Sequence, residues 1–461
     1  MDEKRKKVLV WAVLPPFLGW RGEGIAQSIE NILLNSPNYI NFELIINGLH
    51  YAEAKEVLGS KKNVKLICFE LFYRVKEYKD KDIKRLAAMK TKSRLQKKFE
   101  KFKEYIKTFI WTVYQKLISP LQFYYILRND VIFNPIPYYS LKTKLKPLIF
   151  GFWDPFVFEH AAFGIERKSS MPYFWHCFSY LADSIVTQSE ANKFYLQNTW
   201  GIEEKKIRVI RNGTPNYSEI FSKYINKLPV KEIDRSNIIK YWPQRKIYAQ
   251  SDKKALEIIS SEYINKSVLF RLHQNIKPNS KVFIVSTQYR PYKGFEALFV
   301  LFDKLIRNNG EFDFHLILTT ELPDKLRSQF TGKYTWAVPN LYEFNRVTNL
   351  QHACLYKISD IALHPSNLEG GPSLYPASEA ASIGIPSLTN VGRHTDELIK
   401  SEGRFLEENI ANFSNINKTM ERIIVLLKNE NIAKKNVENI LNSQIHWRES
   451  SQKYCELFLE Q

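Results

Sequence analysis

Residues 361–386 read IALHPSNLEGGPSLYPASEAASIGIP, and this stretch decides the fold that the sequence predicts. The run Ile361–His364 predicts a short buried strand, after which Gly370 and Gly371 can bring backbone N–H groups close to a phosphate. A helix follows and is closed by Gly384. A strand, a glycine loop and a helix in this order are typical of α/β proteins that bind anions.

Two carboxylates, Glu369 and Glu379, flank this glycine loop. A carboxylate repels a phosphate, but it is a strong acceptor of hydrogen bonds from hydroxyl groups. We therefore expect the two glutamates to bind hydroxyls of a sugar and of a ribose.

Short apolar runs recur along the chain and alternate with helix-like stretches. They are Val8–Val13, Leu44–Ile46, Val64–Phe69, Leu148–Phe152, Ser184–Thr187 and Ile207–Ile210 in the first half, and Val282–Ser286, His315–Thr319, Ile361–His364 and Pro386–Thr389 in the second. Continuous apolar strands between helices are typical of parallel sheets covered on both faces. Two such sets predict an α/β chain with two Rossmann-like, doubly wound domains that face each other across a cleft.

The composition along the chain sets the predicted domain limits. Residues 1–215 form the first domain, with a basic insertion at about 74–126, and residues 271–440 form the second. Residues 216–270 are polar and predict an irregular linker, while residues 441–461 form a C-terminal helical segment. Ligands of doubly wound sheets bind at the carboxyl ends of the strands, so the site is expected at the crevice between the domains.

Two further loops follow predicted strands and suit a diphosphate. GWRGEG at 19–24 lies between the first strand and a helix, although its spacing departs from the dinucleotide fingerprint and a plain tight turn explains it equally well. Arg290 and Lys293 follow Val282–Ser286, where a guanidinium fork and an ammonium can clamp a diphosphate. Exposed cations in a basic chain are the alternative explanation.

Two local signals read as structural. Ser189 is predicted to cap the helix that begins near Glu190. Asn212 and Gly213 follow a strand and predict a turn in which φ is positive.

The charge balance points to anionic partners. The 461 residues include 67 Lys and Arg against 48 Asp and Glu, a formal net charge of +19. Hydrophobic residues make up 44% and charged residues 25%, which excludes a disordered or fibrous protein. The four cysteines lie far apart, which argues against a disulfide framework or a zinc site and favours a reducing compartment.

One segment concentrates the positive charge. Residues 74–116 hold 15 Lys and Arg against 5 Asp and Glu, a net +10, and aromatic residues continue to residue 126. Such a pattern predicts that 74–126 makes peripheral contact with an anionic membrane, and a solvated helical insertion explains it equally well. Nucleic acid is not expected as a partner. Lysines inside 106–126 argue against a spanning helix, and the N-terminal apolar run predicts a first strand rather than a signal peptide.

Several motifs together resemble the glycosyltransferase family 4-like, retaining GT-B enzymes, also called group 1 glycosyl transferases. The stretches that carry the resemblance are the N-terminal glycine loop, ADSIVTQSEANKFYL (182–196), GIEEKKIRVIRNGTP (201–215), RPYKGFEALFVLFDKL (290–305), LYKISDIALHPSNLEGGPSLYPASEAASIGIP (355–386) and HWRESSQKYCELF (446–458). The resemblance implies that a nucleotide sugar binds mainly to 271–440 and the acceptor mainly to 1–215, with the helix around Trp447 packing back on the first domain.

The resemblance also assigns site residues. The donor-binding residues are Gly22, Gly24, Gly370, Gly371, Ser373, Leu374 and Glu379, and the residues that serve the reaction are Arg290, Lys293, Glu369 and Asp154. Arg290 and Lys293 would hold the donor diphosphate. Glu379 would hold the ribose hydroxyls, and Glu369 would lie near the donor sugar.

The chain departs from the family pattern in two places. The family usually places its two glutamates eight residues apart, whereas Glu369 and Glu379 are ten apart, so two residues are inserted between them. The family often has a histidine after the fourth strand of the first domain, where residues 152–155 read FWDP. Asp154 would orient the acceptor hydroxyl, or it would simply begin a turn, and His160 lies nearby.

The resemblance implies a retaining hexosyl transfer from a nucleotide-sugar co-substrate, with no further cofactor and no metal. The predicted acceptor is a glycan or a lipid-linked molecule in cell-surface polysaccharide biosynthesis, and the predicted location is the cytoplasm, peripherally on the inner face of the membrane. Two other hypotheses remain. One is a sugar-nucleotide epimerase or phosphorylase of the same fold, which needs further acid and base residues. The other is a non-catalytic protein that binds polyanions or membranes through 74–126, independently of Arg290.

Overall fold

The computed structural model describes residues 5–13, 24–68, 76–87, 119–135, 145–153, 176–177, 179–225, 233–249, 252–372, 375–402 and 404–461. Its strands are β1 (Lys6–Trp11), β2 (Ile40–Ile46), β3 (Val64–Cys68), β4 (Lys76–Tyr78), β5 (Val131–Asn134), β6 (Leu148–Phe152), β7 (Ser184–Thr187), β8 (Ile207–Val209), β9 (Ile247–Ala249), β10 (Ser280–Val285), β11 (Asp313–Leu318), β12 (Leu341–Glu343), β13 (Ile361–His364), β14 (Ser387–Asn390) and β15 (Ile410–Ala411). Its helices are α1 (Gly24–Leu34), α2 (Gly48–Leu58), α3 (Asp80–Ala87), α4 (Ser119–Arg128), α5 (Glu190–Asn198), α6 (Tyr217–Ile225), α7 (Ile238–Tyr241), α8 (Asp252–Asn275), α9 (Phe295–Asn308), α10 (Asp324–Lys333), α11 (Ala337–Asn340), α12 (Asn349–Lys357), α13 (Tyr375–Ala381), α14 (Arg393–Glu402), α15 (Ile416–Lys428), α16 (Glu430–Asn442) and α17 (Trp447–Glu460).

The first sheet has seven parallel strands in the order β3-β2-β1-β5-β6-β7-β8. Its inner strand β1 is buried on both faces, since Val8, Leu9 and Val10 are almost completely inaccessible. A strand covered on both faces needs apolar residues at successive positions, which is why β1 reads as a continuous apolar run.

The second sheet has six parallel strands in the order β12-β11-β10-β13-β14-β15. Aromatic side chains fill the core between this sheet and its helices. The Phe299 ring of α9 stacks on Phe330 of α10 with centroids 3.9 Å apart, and it lies 5.4 Å from Trp336. The two parallel sheets confirm the predicted fold class of two doubly wound α/β domains, whereas the exact domain limits stay predictions.

The strand pattern of the sequence does not reveal three strands of these sheets. β5 pairs with β1 and is the central strand of the first sheet, and β12 and β15 form the two edges of the second. β5 has four residues and follows α4 closely, and α4 is itself rich in apolar residues. The apolar pattern therefore shows no boundary between them.

The prediction of an irregular linker over 216–270 is wrong. The segment contains α6, α7, β9 and most of α8, which has 24 residues. Buried residues of α8 such as Ala255, Ile259 and Leu269 follow the spacing of one helix face. The periodicity is hidden in the sequence because polar Ser261 and Asn265 are also buried, while apolar Ile264 and Phe270 are exposed.

Helix α17 packs against the first sheet. The Phe458 ring lies 5.4 Å from Phe133 of β5 and 5.9 Å from Phe42 of β2. Ser451 Oγ of the same helix donates a hydrogen bond to the Ile32 carbonyl oxygen over 2.7 Å. The helix is therefore part of the core of the first domain.

Gly213, in the turn after β8, is required for a different reason from the one that the sequence predicts. The φ of Gly213 is not positive, so that prediction is wrong. A Cβ at this position would lie 2.5 Å from the Cα of Trp447. Glycine is needed there because the start of α17 passes close to the backbone. The predicted cap of α5 is confirmed, since Ser189 Oγ accepts from the Asn192 N–H over 3.1 Å.

Part of the basic segment belongs to the described residues. β4 pairs with β9 in an antiparallel two-stranded ribbon, which joins the start of this segment to the connection between the domains. On α4, Phe123, Tyr124 and Leu127 are about half exposed. Residues 88–118 lie outside the described residues, so membrane contact stays a prediction. Within the described part of the chain, no helix is both long and apolar enough to cross a membrane.

The strand order places a crevice beside one strand of each sheet. In the first sheet β1 lies between β2 and β5, and in the second β10 lies between β11 and β13. The connections leave such strands in opposite directions, which opens a crevice at their carboxyl ends. The loops that follow β10 and β13 are therefore the places to look for a site.

Candidate functional site

Lys293, Glu369 and His364 form a charged cluster at the carboxyl ends of β10 and β13. Lys293 Nζ lies 2.5 Å from Glu369 Oε1. His364 Nε2 lies 2.7 Å from the same oxygen. The Glu369 side chain is 24% exposed and that of Lys293 is 13% exposed. The cluster is thus largely buried, and its carboxylate still reaches solvent.

The surroundings of Glu369 keep its carboxylate ionised. Burial raises its pKa, but Lys293, His364 and His394 outweigh that effect and hold the pKa well below its usual range. Burial lowers the pKa of His394 to about 4, so its ring is neutral at pH 7. His364 Nδ1 and His394 Nε2 have no hydrogen-bond partner among the described residues.

Gly294 joins the loop after β10 to the loop after β13. Its φ is +70°, a conformation that side chains other than glycine rarely adopt. A Cβ there would lie 2.1 Å from the Pro365 carbonyl oxygen. The Asn367 N–H also donates to the Tyr292 carbonyl oxygen over 2.9 Å. These contacts fix Lys293 beside Glu369.

Arg290 takes a different position from Lys293. Its guanidinium donates to Gln288 Oε1 over 3.0 Å and to the Tyr289 carbonyl oxygen over 3.1 Å, and the residue is exposed. The backbone joins the two residues, since the Lys293 N–H donates to the Arg290 carbonyl oxygen over 3.0 Å. Among the described residues, the Arg290 guanidinium forms no ion pair with Glu369. The two cations thus have different side-chain partners, and their joint role at a diphosphate stays a prediction.

Glu379 is buried in α13 and is held by hydroxyl groups. Tyr217 Oη donates to its Oε1 over 3.1 Å, and Tyr356 Oη donates to its Oε2 over 2.8 Å. Ser286 Oγ, which follows β10, donates to Oε2 over 3.4 Å. Burial raises the pKa of Glu379 to about 7, although the three hydroxyl groups act in the opposite direction.

The helix that begins at Gly24 meets the glutamate helix across the crevice. Tyr375 Oη, in the first turn of α13, lies 3.3 Å from Ser28 Oγ of α1. The Asn212 side chain donates to the same Ser28 Oγ over 3.0 Å, and Ser28 donates to the Gly24 carbonyl oxygen over 2.8 Å. The first turns of α1 and α13 are therefore neighbours.

The glycine pair lies against the first domain. The Gly370 carbonyl oxygen accepts from Asn192 Nδ2 over 2.8 Å. A Cβ on Gly371 would lie 2.8 Å from the Cβ of Gln188. Glycine at this position allows a close approach of the two domains at the crevice.

Glu397 of α14 caps a helix of the other domain. Its two carboxylate oxygens accept from the backbone N–H groups of Glu190 and Ala191 over 3.0 and 3.2 Å. Because these N–H groups have no partner within α5, a carboxylate there is favoured by both hydrogen bonding and the helix dipole.

We expect Glu397→Ala to lower the free energy of unfolding by about 1 kcal/mol. Urea unfolding of both proteins measures the change. Glu456→Ala is the control, since it removes an exposed contact with Gln452, away from the start of α17 and worth less than about 0.5 kcal/mol. Equal losses in the two variants would show that the cap contributes nothing beyond a surface charge.

Several predicted site residues lie outside the described residues. They are Gly22, Asp154, His160, Ser373 and Leu374. Ser373 and Leu374 belong to the stretch where the two additional residues separate the glutamates. The roles assigned to all five stay predictions.

The structure adds residues that the sequence analysis does not propose. His364 and His394 contact or face Glu369, and Tyr217 and Tyr356 bind Glu379. A signal exists for His364, since it ends the strand Ile361–His364 at the edge where ligands bind. The tyrosines come from helices distant in sequence, so no local pattern marks them.

Solved structures resemble the whole chain. A glycosyltransferase from Rickettsia africae is 13% identical, with a TM-score of 0.57 and 99% of both chains covered. HepE from Anabaena, solved in complex with UDP-glucose, is 13% identical, with a TM-score of 0.55 and coverage of 99% of this chain and 100% of its own. WaaG, a glycosyltransferase involved in lipopolysaccharide biosynthesis, is 12% identical, with a TM-score of 0.55 and coverage of 98% and 99%.

These similarities show that the chain has the GT-B fold, as its resemblance to GT-B enzymes predicts. By sequence, no family model and no curated protein matches the chain.

Proposed function

We propose that this protein is a retaining glycosyltransferase that moves a hexose from a nucleotide sugar to a glycan or lipid-linked acceptor. The observation that carries the proposal is the placement of Lys293, Glu369 and Glu379 around one crevice. They follow β10 and β13, the strands at which the connections change direction, and Tyr375, in the same helix as Glu379, contacts Ser28 of the helix that begins at Gly24. A cation for a diphosphate and carboxylates for hydroxyls are the groups that a nucleotide sugar needs.

In the proposed reaction the protein stabilises the charge that grows on the departing diphosphate. Lys293 and the N–H groups near Gly371 are suited to this role, because preorganised donors act most strongly in a site that excludes water. The acceptor attacks the sugar on the face from which the diphosphate leaves, and the diphosphate takes the acceptor proton. Cationic and N–H groups of the protein neutralise the leaving group in this scheme, which needs no metal.

The neighbouring structures support the choice of ligand. HepE is described in complex with UDP and with UDP-glucose, and WaaG as involved in lipopolysaccharide biosynthesis. We extend these properties to the present chain as part of the proposal. A location at the inner face of the membrane, with contact through 74–126, belongs to the same proposal.

Nucleotide binding tests the proposed function. Thermal unfolding is recorded with UDP, GDP, ADP and CMP, and one of them is expected to stabilise the protein by about 2.7 kcal/mol at a hundred times its dissociation constant. Glu379→Gln should weaken that nucleotide about 10- to 100-fold, because a charged acceptor for the ribose is lost. Glu438→Gln, an exposed glutamate of α16, is the matched control.

The outcomes separate the alternatives. Release of the nucleoside diphosphate from its sugar, with retention of the anomeric configuration in the product seen by NMR, supports transfer. If no nucleotide binds while anionic vesicles or DNA do, the protein is a binding protein and the proposal fails.

A further inference from the structure

Glu379 is held by hydroxyl groups from three separate elements. Tyr217 begins α6, which belongs to the connection between the domains, whereas Tyr356 lies in α12 and Ser286 follows β10. Glu379 is 6% exposed. A buried carboxylate that is fixed from three directions has one orientation.

The contacts of Tyr217 continue to a buried histidine. Tyr217 Oη lies 2.7 Å from His352 Nδ1. Burial lowers the pKa of His352 to about 3, so its ring is neutral and carries one N–H. Tyr217 has a single proton, which the anionic carboxylate attracts more strongly than a neutral ring does. His352 Nδ1–H then donates to Tyr217, and Tyr217 donates to Glu379.

The Glu379 carboxylate has an acceptor position that its protein partners do not use. Its two oxygens offer about four acceptor positions, of which the hydroxyls of Tyr217, Tyr356 and Ser286 use three. One position remains on Oε1. The Ser286 contact, at 3.4 Å, is the longest and the most readily replaced. Two neighbouring hydroxyls of a ribose can therefore bind while both tyrosines keep their bonds.

We propose that Tyr217 and Tyr356 are positioning residues that hold Glu379 as the acceptor for the ribose hydroxyls. The inference rests on the proposed function, which gives Glu379 its ligand. Tyr217 also links Glu379 to the connection that joins the domains. Its backbone N–H also donates to Ser382 Oγ over 2.9 Å, next to the end of α13.

The tyrosines also affect when the carboxylate is ionised. The groups that face Glu379 are Tyr217, Tyr356, Ser286 and Tyr375, and none of them is a cation. Burial raises the pKa of Glu379, and loss of a hydroxyl donor removes an opposing effect and raises it further. Ribose hydroxyls bind the ionised form better, so binding should weaken as the pH falls through this pKa. Removing a tyrosine hydroxyl should move that decline to higher pH.

The test compares Tyr217→Phe and Tyr356→Phe with Tyr342→Phe. Tyr342 is a fully buried tyrosine of the second domain whose hydroxyl accepts from Asn275 Nδ2 over 3.0 Å. Calorimetry measures the dissociation constants of the best-binding nucleoside diphosphate and of its 2′,3′-dideoxy form between pH 6 and 9. We expect each of the first two variants to bind the ribonucleotide about fivefold more weakly and the dideoxy form unchanged.

The comparison of ribonucleotide with dideoxynucleotide binding distinguishes a positioning role of the tyrosines from a packing role. If the tyrosines serve only in packing, their variants would have a lower melting temperature but an unchanged preference for the ribonucleotide and an unchanged pH profile, as expected for Tyr342→Phe. This result would overturn the inference. Tyr217 and Tyr356 lie in separate helices, so each variant tests the inference by itself if the other fails to fold. If Glu379→Gln binds both ligands as the unchanged protein does, Glu379 is not the ribose acceptor and this inference fails, whereas the proposed function fails only if no nucleotide binds.

Discussion

Lys293→Met is expected to lower the rate of nucleoside diphosphate release from the nucleotide sugar by about two to three orders of magnitude. The ammonium is held next to Glu369 by two loops that Gly294 joins, so it is already in place when the diphosphate develops charge. A group positioned in advance stabilises the transition state without reorganisation. Steady-state release of the nucleoside diphosphate measures the effect.

A second variant separates this role from the ion pair with Glu369. Lys293→Met leaves the carboxylate with His364 alone, which should also lower stability. The double variant Lys293→Met/Glu369→Gln removes the uncompensated charge and should recover stability but not activity. Lys304→Met, at a lysine whose partner is Asn417, is the control for loss of a surface cation. Recovery of activity in the double variant would show that Lys293 only neutralises Glu369.

Gly294→Ala is expected to lower the free energy of unfolding by about 2–5 kcal/mol. The left-handed conformation costs a side chain about 1–2 kcal/mol. The new Cβ would lie 2.1 Å from the Pro365 carbonyl oxygen, an overlap that the backbone relieves only by moving, and overpacking of this kind costs about 1–3 kcal/mol or more. Urea unfolding followed by circular dichroism measures the loss.

Gly310→Ala is the matched control for this substitution. No atom lies within 4 Å of a Cβ at Gly310, and its φ is not positive. A glycine of this kind should tolerate alanine or gain slightly from it. Similar stabilities of the two variants would mean that the loops after β10 and β13 are not rigidly joined.

The sequence predicts the parts of the fold whose signal is local. β13 is buried on both faces and reads as an apolar run, and Ser189 caps α5 through a bond to a residue three positions away. The sequence does not predict β5, because its four residues lie next to an apolar helix and no change of pattern marks the boundary. The sequence does not predict α8 because buried and exposed positions of this helix both mix polar with apolar residues, as at Asn265 and Phe270.

The site residues also divide into those that a local sequence signal marks and those that only the tertiary fold brings together. Lys293 and Glu369 follow adjacent strands of the second sheet, and their meeting could be expected from parallel topology. Arg290 shares the sequence signal of Lys293, but its guanidinium contacts Gln288 rather than Glu369. Tyr217 meets Glu379 only through the tertiary fold, which no spacing in the sequence encodes.

Gly213 shows how one residue type has two explanations. A glycine after an asparagine suggests a turn of positive φ, whereas the structure requires space for Trp447. The requirement comes from a helix more than two hundred residues later, so the sequence around Gly213 contains no trace of it.

The packing of α17 on the first sheet has a consequence for synthesis on the ribosome. Phe42 and Phe133 become buried against Phe458, which is translated after the entire second domain. The usual order, in which the N-terminal domain matures first, is therefore reversed for the last step. In a nascent chain, the apolar face of the first domain that Phe458 covers would stay exposed until residue 458 has left the exit tunnel. Chaperones could bind this face during that time.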